Sequence, residues 1–313
     1  MTNQGLAAIA VAAILLVASP SFAQESGQSQ AVVTVLPKHE GELPPSVIDQ
    51  DLSVKLDGKF AKVATWAQYK DPNDGIEFVL LIDGGARNSL GREISDIDSF
   101  IKSLPPNIKA GIAYMENGRA LFAGPLSADH AEVLKNLHLP GGFAGVDASP
   151  YFCLSDLARK WPSQDPAARR EVLMVTDGVD TSQRAYDPDD PYVQAAITDA
   201  ARAHLVVYSI YWKSQGRMDN TEAANDTGQN LLSQIAQATG GKSFWQGMGN
   251  PVSLAPYFDE LSRRFRNQWE LGLVVPLSGK PQVESLKMKL SAPGTEIDTP
   301  QQVYVYPAAA TAK

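Results

Sequence analysis

Ile76-Glu77-Phe78-Val79-Leu80-Leu81-Ile82 is an almost unbroken apolar run that ends on Asp83, and EVLMVT over 171–176 ends on Asp177 in the same way. Short apolar runs bounded by turn signals mark strands buried on both faces. Between them Ile94, Ile97, Phe100, Ile101 and Leu104 recur at helical spacing, and Pro105-Pro106 ends that helix. Residues 109–115 read as a strand that Asn117-Gly118 turns into a shorter one over 119–123. Residues 128–137 and 151–161 read as helices. After Asp177, Asp190-Pro191 supplies an N-cap and first-turn pair for a helix to about Ala203, and 205–212 is the next strand. Residues 213–228 are polar, lack apolar periodicity and read as a mobile loop. Leu231, Leu232, Ile235 and Ala236 mark a helix closed by Gly240-Gly241, and Leu254 to Phe265 carries the last one.

Outside 76–267 the period drops to two. Strands are expected over 31–36, 52–56 and 60–66, with Asp57-Gly58 as a hairpin turn, and over 269–275, 285–291 and 302–306. The predicted fold class is therefore α/β. A doubly wound, mostly parallel sheet occupies 76–267, and the flanks 31–70 and 268–307 pack together as a small β domain. Residues 24–30 read as a flexible leader and 308–313 as a tail.

Composition narrows the function. The first 23 residues carry no charge, so the net charge of −8 falls wholly on residues 24–313, where 35 carboxylates outnumber 27 lysines and arginines. That balance offers no footprint for nucleic acid or anionic lipid. With 44% hydrophobic and 20% charged residues the chain is globular in composition. A single cysteine, Cys153, excludes an intrachain disulfide framework, and no two of the four histidines stand at i, i+4, which excludes a zinc-protease helix. Leu6 to Ala18 is a 13-residue apolar run succeeded by Ser21-Phe22-Ala23, the pattern of a signal peptide 1–23 cleaved before Gln24. A periplasmic or secreted protein with no membrane span after cleavage is expected.

Ligands of open α/β sheets gather beyond the carboxyl ends of the strands, which singles out Asp83 and Asp177. Here Val175-Thr176-Asp177-Gly178-Val179-Asp180 resembles the fourth-strand signature of the von Willebrand factor A domain family. Val206-Val207-Tyr208-Ser209-Ile210 and Ala238-Thr239-Gly240-Gly241-Lys242 match its later elements. The order of these motifs is similar to the secreted bacterial, acidobacterial-type branch. The resemblance implies a protein-binding module with a divalent-cation site: an Asp-x-Ser-x-Ser turn after the first strand, a threonine from a second loop and an aspartate after the fourth strand. This chain keeps Asp83 and Asp177, but Gly85 and Arg87 stand where the serines belong, and Ser149 is the candidate for the threonine.

Mg²⁺ and Ca²⁺ demand oxygen ligands, and two hydroxyls are missing here. The expectation is a degenerate, metal-free site with no cofactor, formed by Asp83, Gly85, Arg87, Ser149, Asp177 and Asp180, with Arg87 pairing with Asp83, Asp177 or both. Two rivals stand beside this non-enzymatic reading. One is a cation-dependent adhesin with weak Mg²⁺ or Ca²⁺ held by Asp83, Ser149 and Asp177. The other is a hydrolase using the strand-end aspartates, although no G-x-S-x-G nucleophile context occurs. Asp187-Pro188-Asp189-Asp190 reads as a turn and helix cap, because it lacks the spacing of a calcium loop. If export and cleavage occur as read, N-terminal sequencing of the envelope form starts at Gln24; an intact Met1 in the membrane fraction would show an uncleaved anchor.

Overall fold

The computed structural model describes residues 26–307 except 40, 43–45, 71–73, 141–148, 166, 181–186, 188, 214–220, 248 and 277–279. The expected signal peptide 1–23 and tail 308–313 lie outside these residues. Four strands come first: β1 (Ser26–Pro37), β2 (Leu52–Leu56), β3 (Lys59–Phe60) and β4 (Lys62–Gln68). Strands and helices then alternate: β5 (Ile76–Asp83), α1 (Ile94–Ser103), β6 (Ile108–Glu116), β7 (Arg119–Phe122), α2 (His130–Leu134), α3 (Pro150–Arg159), β8 (Arg169–Thr176), α4 (Pro191–Arg202), β9 (Leu205–Tyr211), α5 (Glu222–Thr239), β10 (Ser243–Phe244) and α6 (Ala255–Phe265). β11 (Gln268–Pro276), β12 (Gln282–Leu290), β13 (Thr295–Asp298) and β14 (Gln302–Pro307) close the chain.

The doubly wound, mostly parallel sheet with a small β appendage is not the architecture of this chain. Among the described residues there are two sheets, and the larger is antiparallel, with eight strands in the order β3-β2-β12-β14-β1-β11-β4 and β13 added beside β1. The strand–helix alternation accounts only for the smaller, six-stranded sheet, β10-β9-β8-β5-β6-β7. Its β5, β6, β8, β9 and β10 run parallel, and β7 is antiparallel to β6. The extent of the larger sheet is hidden in the sequence because its strands are half-polar and interrupted, and β13 carries no clear alternation.

The larger sheet curls. β3 and β4 lie at opposite ends of its strand order, yet only Ala61 separates them, so the two edges must approach each other. The Ala61 N–H donates to the Val54 carbonyl at 3.0 Å. The expected hairpin over 52–66 is thus split. Asp57 and Gly58, at φ 44° and 80°, make the turn, and only Lys59 and Phe60 pair back onto β2. Past Ala61 the chain leaves to pair with β11, where Trp66 stacks on Trp269 at 4.8 Å.

Three smaller expectations also change. β1 begins at Ser26 and pairs with β11 from there, so residues 26–30 are strand, not leader. Helix 128–137 shortens to α2. The loop expected over 213–228 is helical from Glu222, because Thr221 caps α5 by accepting from the Ala224 N–H at 3.2 Å. The polar, small residues of that first turn conceal it.

A buried polar seam joins the two sheets. Gln268, fully buried at the start of β11, accepts from Arg169 Nη1 at 2.5 Å and donates to Glu171 Oε1 at 2.8 Å. Arg169 also donates to the Phe265 and Asp74 carbonyls and lies over the Tyr69 ring at 4.4 Å. Burial pushes the Glu171 carboxyl up to about 8, partly offset by Arg169 and by hydrogen bonds from Gln268 and Tyr208. Its folded pKa lies above that of an unfolded glutamate, so its contribution is fully present below the unfolded value and is lost as pH rises toward 8. Melting temperature should therefore fall between pH 5 and 8, and Glu171→Gln should flatten that fall while keeping the bond from Gln268. Identical pH profiles for both proteins would show that Glu171 ionises as freely folded as unfolded.

Candidate functional site

β5 and β8 are neighbours in the smaller sheet, with Ile82 opposite Val175, so their carboxyl ends bring Asp83 beside Thr176. Asp83 accepts from the Gly85 N–H through Oδ1 at 2.7 Å and from the Thr176 hydroxyl through Oδ2 at 2.5 Å. The same threonine oxygen accepts from the Gly178 N–H at 3.2 Å. Asp177 Oδ1 accepts from the Val179 N–H at 2.9 Å, an Asx turn that bends the chain back. From the next helix, Ser149 Oγ donates to Asp180 Oδ2 at 2.8 Å and the Tyr151 hydroxyl donates to the Gly178 carbonyl at 2.5 Å.

The structure thus ties the expected residues into two clusters, Asp83 with Gly85 and Thr176, and Ser149 with Asp180 beside Asp177. Ser149 stands at the N-cap of α3, but its hydroxyl serves Asp180 and makes no cap bond. Asp83, Asp177, Asp180 and Ser149 are all only 2–3% exposed. Ala148, Thr181 and Ser182, which adjoin these residues in sequence, lie outside the described residues.

Helix α5 closes the edge from the side. Gly178 sits at φ 68°, where an L side chain is strained, and a Cβ there would lie 2.6 Å from the Gly228 carbonyl. A Cβ on Gly228 would lie 2.1 Å from the Asp177 carbonyl, so this approach needs both glycines. The Tyr211 hydroxyl donates to Asn225 Oδ1 at 2.9 Å; burial, with the Asp177 and Asp226 carboxylates nearby, pushes it up to about 12. Trp212 Nε1 donates to Ser89 Oγ at 2.8 Å and pins the loop after β5.

Arg87 lies within that loop, half-buried, at φ 43° and ψ −141°. The other non-glycine residues at positive φ are Asp57 and Asn117, each preceding glycine in a tight turn, and His204 just after α4. Arg87 forms the kink between two 3-10 turns over Gly84–Arg92, and a side-chain-bearing residue held there stores about 1–3 kcal/mol of strain.

A divalent cation does not fit these residues. Gly85 has no side chain to offer and Arg87 brings a guanidinium where a second hydroxyl would be needed, so the oxygen set a hard cation demands is incomplete. Among the described residues no group of three or more His, Cys, Asp or Glu is placed to hold a metal ion. Sequence reading missed Thr176, Tyr151 and Gly228. Thr176 is visible in the Thr-Asp-Gly signature, but its direct bond to Asp83 needs the strand register; Tyr151 and Gly228 come from other elements and carry no local signal.

No family model and no curated protein matches the chain. Among solved structures it is similar to an aerotolerance-related membrane protein from Bacteroides fragilis, at 14% identity and TM-score 0.44 over 61% of this chain and 98% of that one. It is similar to BatB from Bacteroides thetaiotaomicron at 15% identity and TM-score 0.45, over 61% and 97%. It is also similar to the SpRpn10 VWA domain at 9% identity and TM-score 0.38, over 59% and 94%. At these scores none of the likenesses bears on what this chain binds.

Thr176→Val removes the donor to a buried carboxylate oxygen while conserving volume. It should lower stability by about 1–3 kcal/mol in urea denaturation, whereas Thr176→Ser should retain most of it. A neutral valine variant would show that Asp83 does not depend on this bond.

Proposed function

We propose that the chain is an exported, non-enzymatic protein-binding module that contacts its partner with the carboxyl edge of the smaller sheet, without a metal ion. The observation that carries this reading is the inward engagement of the edge carboxylates. Asp83, Asp177 and Asp180 are buried and hydrogen-bonded within the chain, so they shape loops instead of presenting an acid–base pair or an ion cage. This weighs against both the hydrolase and the cation-dependent adhesin. The motif order resembling secreted bacterial von Willebrand A-related proteins supports the same class.

The edge also exposes apolar side chains suited to a protein partner. Trp245 comes directly after β10 and is 48% exposed, and Val252, before α6, is 92% exposed. The segment between them is tied to the same edge, since Asn250 Oδ1 accepts from the Lys213 N–H just after β9. Exposed tryptophans beside polar loops are common anchors of protein interfaces. Among the described residues no helix is long and apolar enough to cross a membrane.

Capture from envelope extract tests the surface. Trp245→Ala and Arg87→Gly should each reduce partner recovery at least several-fold. Mg²⁺ and Mn²⁺ should leave the melting temperature of the parent unchanged. A Mg²⁺-dependent rise abolished by Asp177→Ala would replace this reading with the adhesin.

A further inference from the structure

At the opposite, amino end of the parallel strands, a cavity of about 260 Å³ opens between the two sheets. Its walls come from β1 and β14 of the larger sheet, the starts of β8 and β9, and the ends of α4 and α5. Two arginines, Arg169 and Arg170, line it together with His204, and no carboxylate does, in a protein whose net charge is −8. Val32, Leu205, Val303 and Tyr306 supply an apolar and aromatic wall.

Arg169 is the decisive residue. It is 6% exposed, and its guanidinium is in contact with neutral groups: the Phe265 and Asp74 carbonyls, the Gln268 amide and the face of Tyr69. Among the described residues no carboxylate lies within ion-pair distance of it, and its Nε has no hydrogen-bond partner. A guanidinium stays charged in a protein interior; the carboxyl that acts on it, Glu171, is bridged to it through the Gln268 amide and is itself pushed toward its neutral form by burial, so the positive charge is only partly compensated. A cavity that adjoins such a cation and excludes carboxylates from its own lining is complementary to an anion. Arg170, the next residue of β8 and so on the opposite face of the strand, is bonded to the Ala203 and Ser163 carbonyls and also lines the cavity.

We propose that this inter-sheet cavity binds a small monocarboxylate with an apolar body, its carboxylate toward the Arg169–Arg170 wall and its body against Val32, Val303 and Tyr306. The volume is at the small end of ligand pockets, which favours short aliphatic or single-ring acids over long chains. This site lies away from the carboxyl edge and does not depend on the function proposed for it.

The test is thermal melting and titration calorimetry of the exported protein with hexanoate and benzoate, against 1-hexanol and benzyl alcohol at equal concentration and chloride-matched ionic strength. At ligand about tenfold above its Kd, at least one carboxylate should raise the melting temperature by about 4 °C, and the alcohols should not. Ala203→Leu, which fills the cavity while leaving both arginine side chains in place, should abolish that rise. Arg169→Gln should do the same if it folds; if it does not, the alcohol comparison and Ala203→Leu decide. The proposal is overturned if no carboxylate stabilises the protein, if the alcohols stabilise it equally, or if the effect survives in Ala203→Leu.

Discussion

Gln268 presents its amide oxygen to the Arg169 guanidinium at 2.5 Å and its amide nitrogen to the Glu171 carboxyl at 2.8 Å. Arg169 and Glu171 are alternate residues at the start of β8 and so project from the same face of the smaller sheet. Neither would be tolerated against an apolar surface, because each buried polar group left unbonded costs about 1–3 kcal/mol and a charge more. An amide can accept from the first through its oxygen and donate to the second through its nitrogen at the same time. The guanidinium, with donors only, also settles which way the amide points. The first residue of β11 is thereby held in one register against β8. β11 pairs with β1 on one side and β4 on the other, so this contact sets the position of the larger sheet.

The same strand serves two ends of the molecule. β8 begins at the seam with Arg169 and finishes at Thr176, about 23 Å away at ~3.3 Å per residue. Its side chains from Glu171 onward are fully or nearly fully buried, between α1 and α6 on one face of the sheet and α3, α4 and α5 on the other. The two ends differ chemically. The amino end holds the Arg169 guanidinium and the Glu171 carboxyl bridged by Gln268, and the carboxyl end holds carboxylates satisfied by hydroxyls and main-chain N–H groups. A strand packed on both faces keeps these two settings apart, so that each end can be altered without rearranging the other.

Legibility in the sequence tracked the range of the interactions. The strands ending at Asp83 and Asp177, and the helices with regular apolar stripes, were readable because burial on both faces leaves a local pattern. The antiparallel sheet was not, because its pairings join residues as distant as Ser26 and Pro276, and alternation alone does not say which strands meet. The start of α5 was hidden for a different reason. Gly228 and Asn225 are there to let a helix approach the Asp177 turn and bond Tyr211, and such residues look like a loop when read without their partners. At the candidate site the aspartates were legible and their engagement was not. Thr176 stands next to Asp177 in sequence but serves Asp83, a relation created by strand register.

That relation bears on how hydrogen bonds within the chain hold the edge together. In the motif this chain resembles, a cation gathers oxygen ligands from several loops at once. Here the gathering is divided among ordinary hydrogen bonds. Thr176 joins β8 to the end of β5, Ser149 and Tyr151 join α3 to the turn after β8, and Trp212 joins β9 to the loop after β5. Every one of these bonds crosses between elements, so the loops hold one another with no central ligand. Such bonds are short-ranged and directional, and they leave a loop free to be shaped by contacts other than ligation. The loop after β5 uses that freedom: it keeps Arg87 at a backbone conformation that a cation cage would have no reason to impose, and the cross-links around it offset the strain.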